Sequence, residues 1–437
     1  MRNQKRFVCL VVISTLVANV GLATVFAEDW PQWRGPNRDG VWPETGIVES
    51  FSAAELDIVW RAEIGRGYSG PIVSDGRVYV MDRLTKTQMS ERVLCFDAKN
   101  GRQLWSHTYD CVYRNISYPS GPRASVTLAD GRAFALGTMG HLHCLDAATG
   151  RVLWMKDLGM EYQIRMPIWG IASAPLVEGG MVIVQIGGSN NACLVAFNAK
   201  TGEERWRALE DRASYSAPII IEQASQRVLV CYTGDNVVGL DPASGKVHWK
   251  QPFPPKDFVQ GIATPVFHND MLFITSYFDG ALLLKVRQDR LAVEKVWRRV
   301  GHGNETDAVQ CVMSTPYLHG QHIYGIDGHG ELRCLDLHTG DRIWENREAV
   351  PYAYNATVHF IRNSDRVFLF NEMGELIIAQ LSPSGYREIS RAKLIEPTRD
   401  QYPARRGGVV WSHPAFADRH VYARNGKELV CANLAAR

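Results

Sequence analysis

From about residue 57 onward the chain is written in short runs of alternating apolar and polar residues, each closed by turn residues. In the first group the runs are Gly70–Ser74, Arg77–Asp82, Arg92–Asp97 and Arg102–His107. Ser74-Asp75-Gly76 and Lys99-Asn100-Gly101 join them, and Asn-Gly between alternating runs is a strong hairpin signal. A helix would need apolar residues three and four apart over about ten positions, and this region offers no such stretch. The pattern predicts strands throughout.

The same group recurs. Its clearest copy is Gly140-His141-Leu142-His143-Cys144-Leu145-Asp146-Ala147-Ala148-Thr149-Gly150-Arg151-Val152-Leu153-Trp154. The closing Trp falls at Trp60, Trp105, Trp154, Trp206, Trp249, Trp297 and Trp344, with spacings of 45, 49, 52, 43, 48 and 47 residues. Four antiparallel strands per repeat of about 45 residues, arrayed radially, make a propeller blade. Opening strands near Ser69, Ala124, Ser173, Ser216, Ala263, Ser314, Asn355 and Ser412 count out eight blades. The last runs Trp411–Ala417, His420–Arg424 and Glu428–Leu434, then the chain stops one strand short. Asp57–Ala62 is a Trp strand with no blade before it, so it is expected to complete blade eight and remove an open edge. The fold class is therefore all-β: an eight-bladed propeller of four-stranded blades over 57–437, closed by its N-terminal strand. Each outer-strand Trp packs against the next blade, burying area worth up to ~4–5 kcal/mol before entropy is counted. Two joints break the pattern. Blade seven has Ile389-Ser390 where Trp is due, and blade five lacks the Asp-x-x-Thr-Gly turn.

Before the propeller come two other segments. Met1–Arg6 is basic, Phe7–Ala27 is apolar, and Val25-Phe26-Ala27 ends in small residues at the spacing a signal peptidase needs. Residues 1–27 are thus expected to be a signal peptide, with an uncleaved anchor as the other reading. Residues 28–56 form an N-terminal extension. The mature chain is expected to be an exported monomer of the periplasm or cell envelope, without a transmembrane span.

With 48 basic and 46 acidic residues, the net charge of +2 gives no field for nucleic acid. Eight cysteines follow Ala27. Cys95, Cys144, Cys334 and Cys431 hold one repeat slot, which marks a small buried position and predicts free thiols. Cys111 and Cys311, both in inter-repeat segments, are the least bland pair, and the sequence leaves open whether they bond.

The Ala147-Ala148-Thr149-Gly150-x-x-x-Trp154 signature echoes at Asn198–Trp206, Asp241–Trp249 and Asp336–Trp344. It resembles the tryptophan-docking repeat of pyrroloquinoline-quinone (PQQ) enzymes and of the BamB scaffolds of outer-membrane assembly. Asp29-Trp30-Pro31-Gln32-Trp33-Arg34-Gly35 is similar to the opening of exported PQQ-binding-like propellers. The resemblance implies the fold and leaves two activities, because one repeat serves both enzymes and scaffolds.

Candidate chemistry sits where blade-to-blade loops enter the inner strands. Tyr68, Arg123, Trp169, Tyr215, Gln260, Gln310, Asn355 and Trp411 are expected to converge on the channel mouth as a ligand or partner site. Arg66, Arg114, Arg165, Arg212, Arg405 and Arg406 in the same loops favour an anionic ligand or an acidic partner edge. The resemblance also implies what an enzyme would need: PQQ, Ca²⁺ with several oxygen ligands, a carboxylate base and a Trp against the ring. Trp169 or Trp411 suits the last. No Asp or Glu leads directly into an inner strand; Asp110, Glu161, Asp211, Asp257, Glu305 and Asp307 stand further back. The adjacent-cysteine disulfide of those enzymes has no counterpart here. Thirteen histidines lack zinc spacing, and nucleophile elbows and phosphate loops are absent. His141 and His143, alternate residues of one strand, suit an exposed face as well as a ligand pair. Sequence therefore favours a non-catalytic binding or scaffold propeller engaging an envelope protein or anionic ligand. A PQQ/Ca²⁺ dehydrogenase of alcohols or sugars is the alternative, and a polysaccharide-binding module with Tyr352 and Tyr354 as contacts is the second.

Overall fold

The computed structural model describes residues 29–86, 88–300 and 308–436. The expected signal peptide, Glu305 and Asp307 lie outside the described residues.

Eight four-stranded antiparallel sheets make the propeller. In blade one, Ile72–Ser74 is the inner strand, followed outward by Arg77–Leu84, Ser90–Asp97 and Gln103–Asp110. Six further blades repeat this order. Blade eight takes Ala415–Ala417, His420–Arg424 and Glu428–Asn433 from the C-terminus and Ile58–Glu63 from the N-terminus. Trp60 lies opposite Cys431 in that pairing, so the ring is sealed as the repeat count requires. Among the described residues the one helical element is a single turn, Leu158–Glu161, capped by the Asp157 carboxylate on the Met160 amide.

The joints explain the repeat's sequence. Trp60, Trp105, Trp154, Trp206 and Trp297 each donate their indole N–H to a backbone carbonyl of the next blade: Ala98, Ala147, Ala199, Pro242 and Leu337. Each acceptor directly follows the Asp or Asn of the turn. That carboxylate or amide in turn holds the turn's own amides, as Asp146 does for Thr149 at 2.9 Å. The turn glycine has left-handed φ and lies under the indole: a Cβ at Gly150 (φ +73°) would stand 2.5 Å from the Trp105 ring. On the Trp's own sheet the cross-strand neighbour is Cys95, Cys144, Ala196, Gly239, Cys334 or Cys431 in six blades, and Leu283 opposite Trp297 in the seventh. The cysteine slot is thus a small seat for the indole, and among the described residues all eight cysteines are buried free thiols.

The irregular joints are handled differently. Trp249 faces blade five, which lacks the turn, and donates instead to the Gln223 side-chain carbonyl at 2.9 Å. Gln223 passes the link onward through its Nε2 to the Ala292 carbonyl of blade five. Between blades seven and eight both the Trp and the turn are missing, and the N-terminal extension fills the gap. Phe51 N–H donates to the Ser390 hydroxyl. Lys393 N–H donates to the Ala54 carbonyl, and Leu56 N–H donates back to the Lys393 carbonyl. Val48 N–H reaches the Leu434 carbonyl of blade eight.

Upstream, the extension is a strap across one face of the ring. Inner-strand ends receive it in turn: Trp30 pairs with Val73, Pro31 accepts from Leu128 N–H, and Gly40 accepts from Arg362 N–H. Trp30, Trp42 and Ile47 are buried in the core shared by blades seven, eight and one. The Arg38 guanidinium is also buried and donates to the carbonyls of Pro175 and Pro218 in blades three and four. Burial holds this guanidinium down to about 9, below its ordinary range.

Candidate functional site

Because the strands alternate in direction, two sets of connections share each face. The Asp-x-x-Thr-Gly turns and the strap occupy one face. The blade-to-blade loops occupy the other, together with the hairpins between second and third strands. A cavity of about 300 Å³ opens on this loop face at the channel axis. Trp33 of the strap is among its lining residues; its indole N–H donates to Thr264 Oγ1 at 2.8 Å and its ring stands edge-on to His413 at 4.6 Å. The strap thereby gives the channel a floor.

Seven of the eight residues expected at the mouth line this cavity: Tyr68, Arg123, Trp169, Tyr215, Gln260, Asn355 and Trp411. Gln310 does not. It is fully buried, and its backbone N–H donates to Asp327 Oδ1, which turns it into the wall of blade six. Tyr354, expected as a contact of the polysaccharide-binding alternative, lines the cavity too, whereas sequence reasoning missed Trp33, Tyr118, Phe258, His359 and His413. The histidines were legible in principle, since His413 occupies the middle of a Ser-x-Pro opening in which blades three to six carry Ala or Thr.

Polar groups in the cavity are mostly engaged. Arg123 stacks over the Tyr68 ring at 4.8 Å and donates to the carbonyls of Gly121, Ser117 and Tyr118. Ser125 Oγ lies 2.5 Å from His413 Nε2, whose other ring nitrogen is 3.1 Å from the Pro414 carbonyl. Burial pushes His359 down to about 4 and His413 to about 3, so both are neutral at physiological pH. Gln260 is different. It is 7% exposed, and its Oε1 is buried without a hydrogen-bond partner.

Around this opening aromatic rings touch in an unbroken series. Tyr402 meets Trp411 at 4.9 Å and Tyr118 at 5.8 Å, and Tyr118 meets Trp169 at 6.5 Å. The series continues through Phe258 and Phe278 to Tyr277 and Tyr354, with centroids 4.4–6.4 Å apart. It ends at His329, stacked on Tyr352 at 5.5 Å. Tyr352, Tyr354, Phe258 and Ile168 are exposed around the opening, and Met89, Val112 and Met160 are exposed further out on the same face.

The arginines contribute less charge than their number suggests. Arg66 pairs with Asp400, Arg212 with Asp235 and Arg405 with Glu372. Glu372, on a second-to-third-strand hairpin of blade seven, is the carboxylate that sequence reasoning overlooked at the mouth. It also accepts from the Trp411 indole at 3.3 Å, and burial raises its pKa. Among the acids expected nearby, Asp211 is held by Lys250, Thr233 and Asn236.

A tricarboxylate quinone held with Ca²⁺ does not fit these residues. No carboxylate lines the cavity, and no group of three His, Cys, Asp or Glu among the described residues could hold a metal. The His141/His143 pair belongs elsewhere. His143 is buried between blades one and two, 4.9 Å from His107, and burial pushes it down to about 3.

Comparison with known proteins sets this site in context. BamB of Shewanella oneidensis is 24% identical over 323 residues, which is 67% of this chain and 71% of that protein. The quinohemoprotein alcohol dehydrogenase ADH-IIG of Pseudomonas putida is 26% identical over 220 residues, 44% of this chain and 27% of the enzyme. Among solved structures, BamB from Moraxella catarrhalis superposes with a TM-score of 0.60 at 16% identity, covering 86% of this chain and 99% of that one. A europium-containing methanol dehydrogenase reaches 0.64 at 14% identity, covering 92% and 90%. At such identities the superpositions show the fold alone. The sequence profile described as "Outer membrane protein assembly factor BamB" matches residues 44–111, 90–346 and 306–436, nearly the whole propeller, and the chain belongs to that family.

Proposed function

We propose that this chain is a non-catalytic scaffold of the bacterial envelope whose loop face binds a protein partner. Its membership of a family named for outer-membrane assembly supports the setting and the class. The observation that carries the reading is the contrast between the two faces. One is covered by the chain's own strap, whereas the other leaves Ile168, Phe258, Tyr352 and Tyr354 exposed around a recessed opening. Exposed apolar and aromatic residues rimming a pocket are the usual makings of a binding hot spot. Arg66, Arg212 and Arg405 are ion-paired, and the exposed apolar rim favours a partner recognised through shape and apolar contact.

A photo-crosslinking residue placed at Ile168 or Phe258, and another at Lys99 on the opposite face, tests this in the native envelope. A discrete adduct from the loop face alone is expected. Equal labelling from both faces would overturn the reading. So would dye reduction with an alcohol that requires both added PQQ and Ca²⁺.

A further inference from the structure

We infer that the loop-face cavity receives the C-terminal residue of the partner chain, with its carboxylate on Arg123 and a large apolar or aromatic side chain among the surrounding rings. The inference rests on the protein-binding reading and narrows it to one kind of chain end.

Three observations converge. The first is a positive charge without a counterion. A guanidinium carries five N–H donors, and three hydrogen bonds engage Arg123, all to neutral carbonyls: Gly121, Ser117 and Tyr118. Two donors are left, and among the described residues no carboxylate pairs with this side chain. Arg66, Arg212 and Arg405 on the same face each have one. Glu91, the acid whose field reaches Arg123, is buried and held by the Tyr109 and Tyr113 hydroxyls and the Thr138 N–H. Burial lowers the Arg123 pKa, as it does for a cation that has lost water without gaining an anion.

The second is what surrounds that charge. Tyr68 lies against the guanidinium at 4.8 Å, and Trp169 meets Tyr118 at 6.5 Å and Tyr215 at 4.9 Å. His359 and His413 are neutral, so Arg123 is the one charged group among the described lining residues. A lone cation in an aromatic recess matches a single anion carried on an apolar group, because the charges meet away from water and the rings bury the rest.

The third is shape. At about 300 Å³ the cavity is at the small end of ligand pockets, and Trp33 closes its floor, so a chain can end here but not pass through. An internal loop would have to bring two stems of chain through the same mouth. Beside it lies a second recess of about 580 Å³, which shares Tyr215 and Phe258 with the first and is bordered by the loops that enter blades three, four and five. Exposed Ile168 also borders this recess. The residues that lead to the terminus have a place to lie there, whereas a free aromatic acid would leave it empty.

Fluorescence anisotropy with the purified chain provides the test. The probes are a labelled glycine- and serine-rich octapeptide ending in phenylalanine, as the free acid and as the amide, and the same amide carrying an internal glutamate. Unlabelled 3-phenylpropionate, a free aromatic acid, is the competitor. The free-acid peptide is expected to bind, and both amides to bind about ten- to hundredfold more weakly. 3-Phenylpropionate should displace the peptide while binding more weakly than it does. Arg123→Gln should abolish the preference for acid over amide, and Arg123→Lys should keep part of it. Ile168→Ser, at an exposed position, should weaken the octapeptide and leave the inhibition constant of 3-phenylpropionate unchanged. Failure of the free acid to bind overturns the inference. So does an amide that binds as tightly, an acid preference that survives in Arg123→Gln, or 3-phenylpropionate that matches the octapeptide. A discrete crosslink from Ile168 in the native envelope, with no peptide bound, removes this inference and leaves the protein-binding reading standing.

Discussion

Two kinds of joint hold this ring together, and they do the same work with unrelated residues. From blade eight round to blade six, each joint except the one reached by Trp249 uses an indole bonded to a neighbour's backbone carbonyl. The remaining contact in that arc, Trp344 on Ser382, keeps the bond after the turn sequence has changed. Between blades seven and eight no outer-strand indole is present, and the stretch Phe51–Leu56 lies in the seam while Trp42 of the strap packs between Phe368 and Phe416. A repeat can therefore lose its signature wherever a non-repeated segment supplies both buried area and backbone partners. Joint chemistry is conserved in kind, not in residue.

Removing the strap should have the largest effect. Deletion of residues 29–56 takes Trp30, Trp42 and Ile47 out of the core, and side chains of this size cost about 3–5 kcal/mol each when truncated. Hydrogen exchange should rise first in 366–371 and 420–424, with blades two to four protected. Uniform exchange around the ring would erase the distinction between the joints. Next comes Trp154→Ala, with a loss of about 3–4 kcal/mol and exchange confined to the seam between blades two and three. Gly150→Ala should cost roughly 1–3 kcal/mol, because it meets both a strained φ and the Trp105 ring. Gly76→Ala has a similar φ of +68° and open space, so it isolates the backbone share.

The smallest effect is a pH dependence at the floor. His413 has its folded pKa depressed to about 3 by burial, below the 6.5 of the free side chain. Its contribution is complete above the unfolded value and declines as pH falls toward the folded one, since the unfolded chain binds the extra proton. Between pH 7 and 6 the wild type should therefore lose about 0.7 kcal/mol more than His413→Asn. Denaturant melts at the two pH values measure this. A constant gap between the proteins would mean that His413 is not held neutral.

Much of this was legible beforehand, for identifiable reasons. Blade count, ring closure and the cysteine seat follow from period-two alternation and a fixed repeat, which are local signals. Seven of the mouth residues were legible because each precedes an inner strand, and inner strands converge on the axis. Gln310 was misplaced because position before a strand fixes where the backbone goes; the burial of its side chain is set by the Asp327 turn of its own blade. Trp33 and the strap were illegible because 29–56 has no periodicity of its own. Its partners lie as far away as Asn363 and Leu434, and no spacing rule links them. Glu372 was missed because the alternation of faces brings second-to-third-strand hairpins to the mouth.

Blade eight draws on both chain ends, and that sets an order of events in biosynthesis. Part of the stretch that leaves the ribosome early, Gly40 to Glu63, has strand and loop partners in residues 358–434. Arg424 fastens the same seam from the other side by donating to the Gly65 carbonyl. Until those C-terminal residues exist, the strand Ile58–Glu63 has no sheet partner. Closure of the ring waits on Glu428–Asn433, the strand that pairs with Ile58–Glu63.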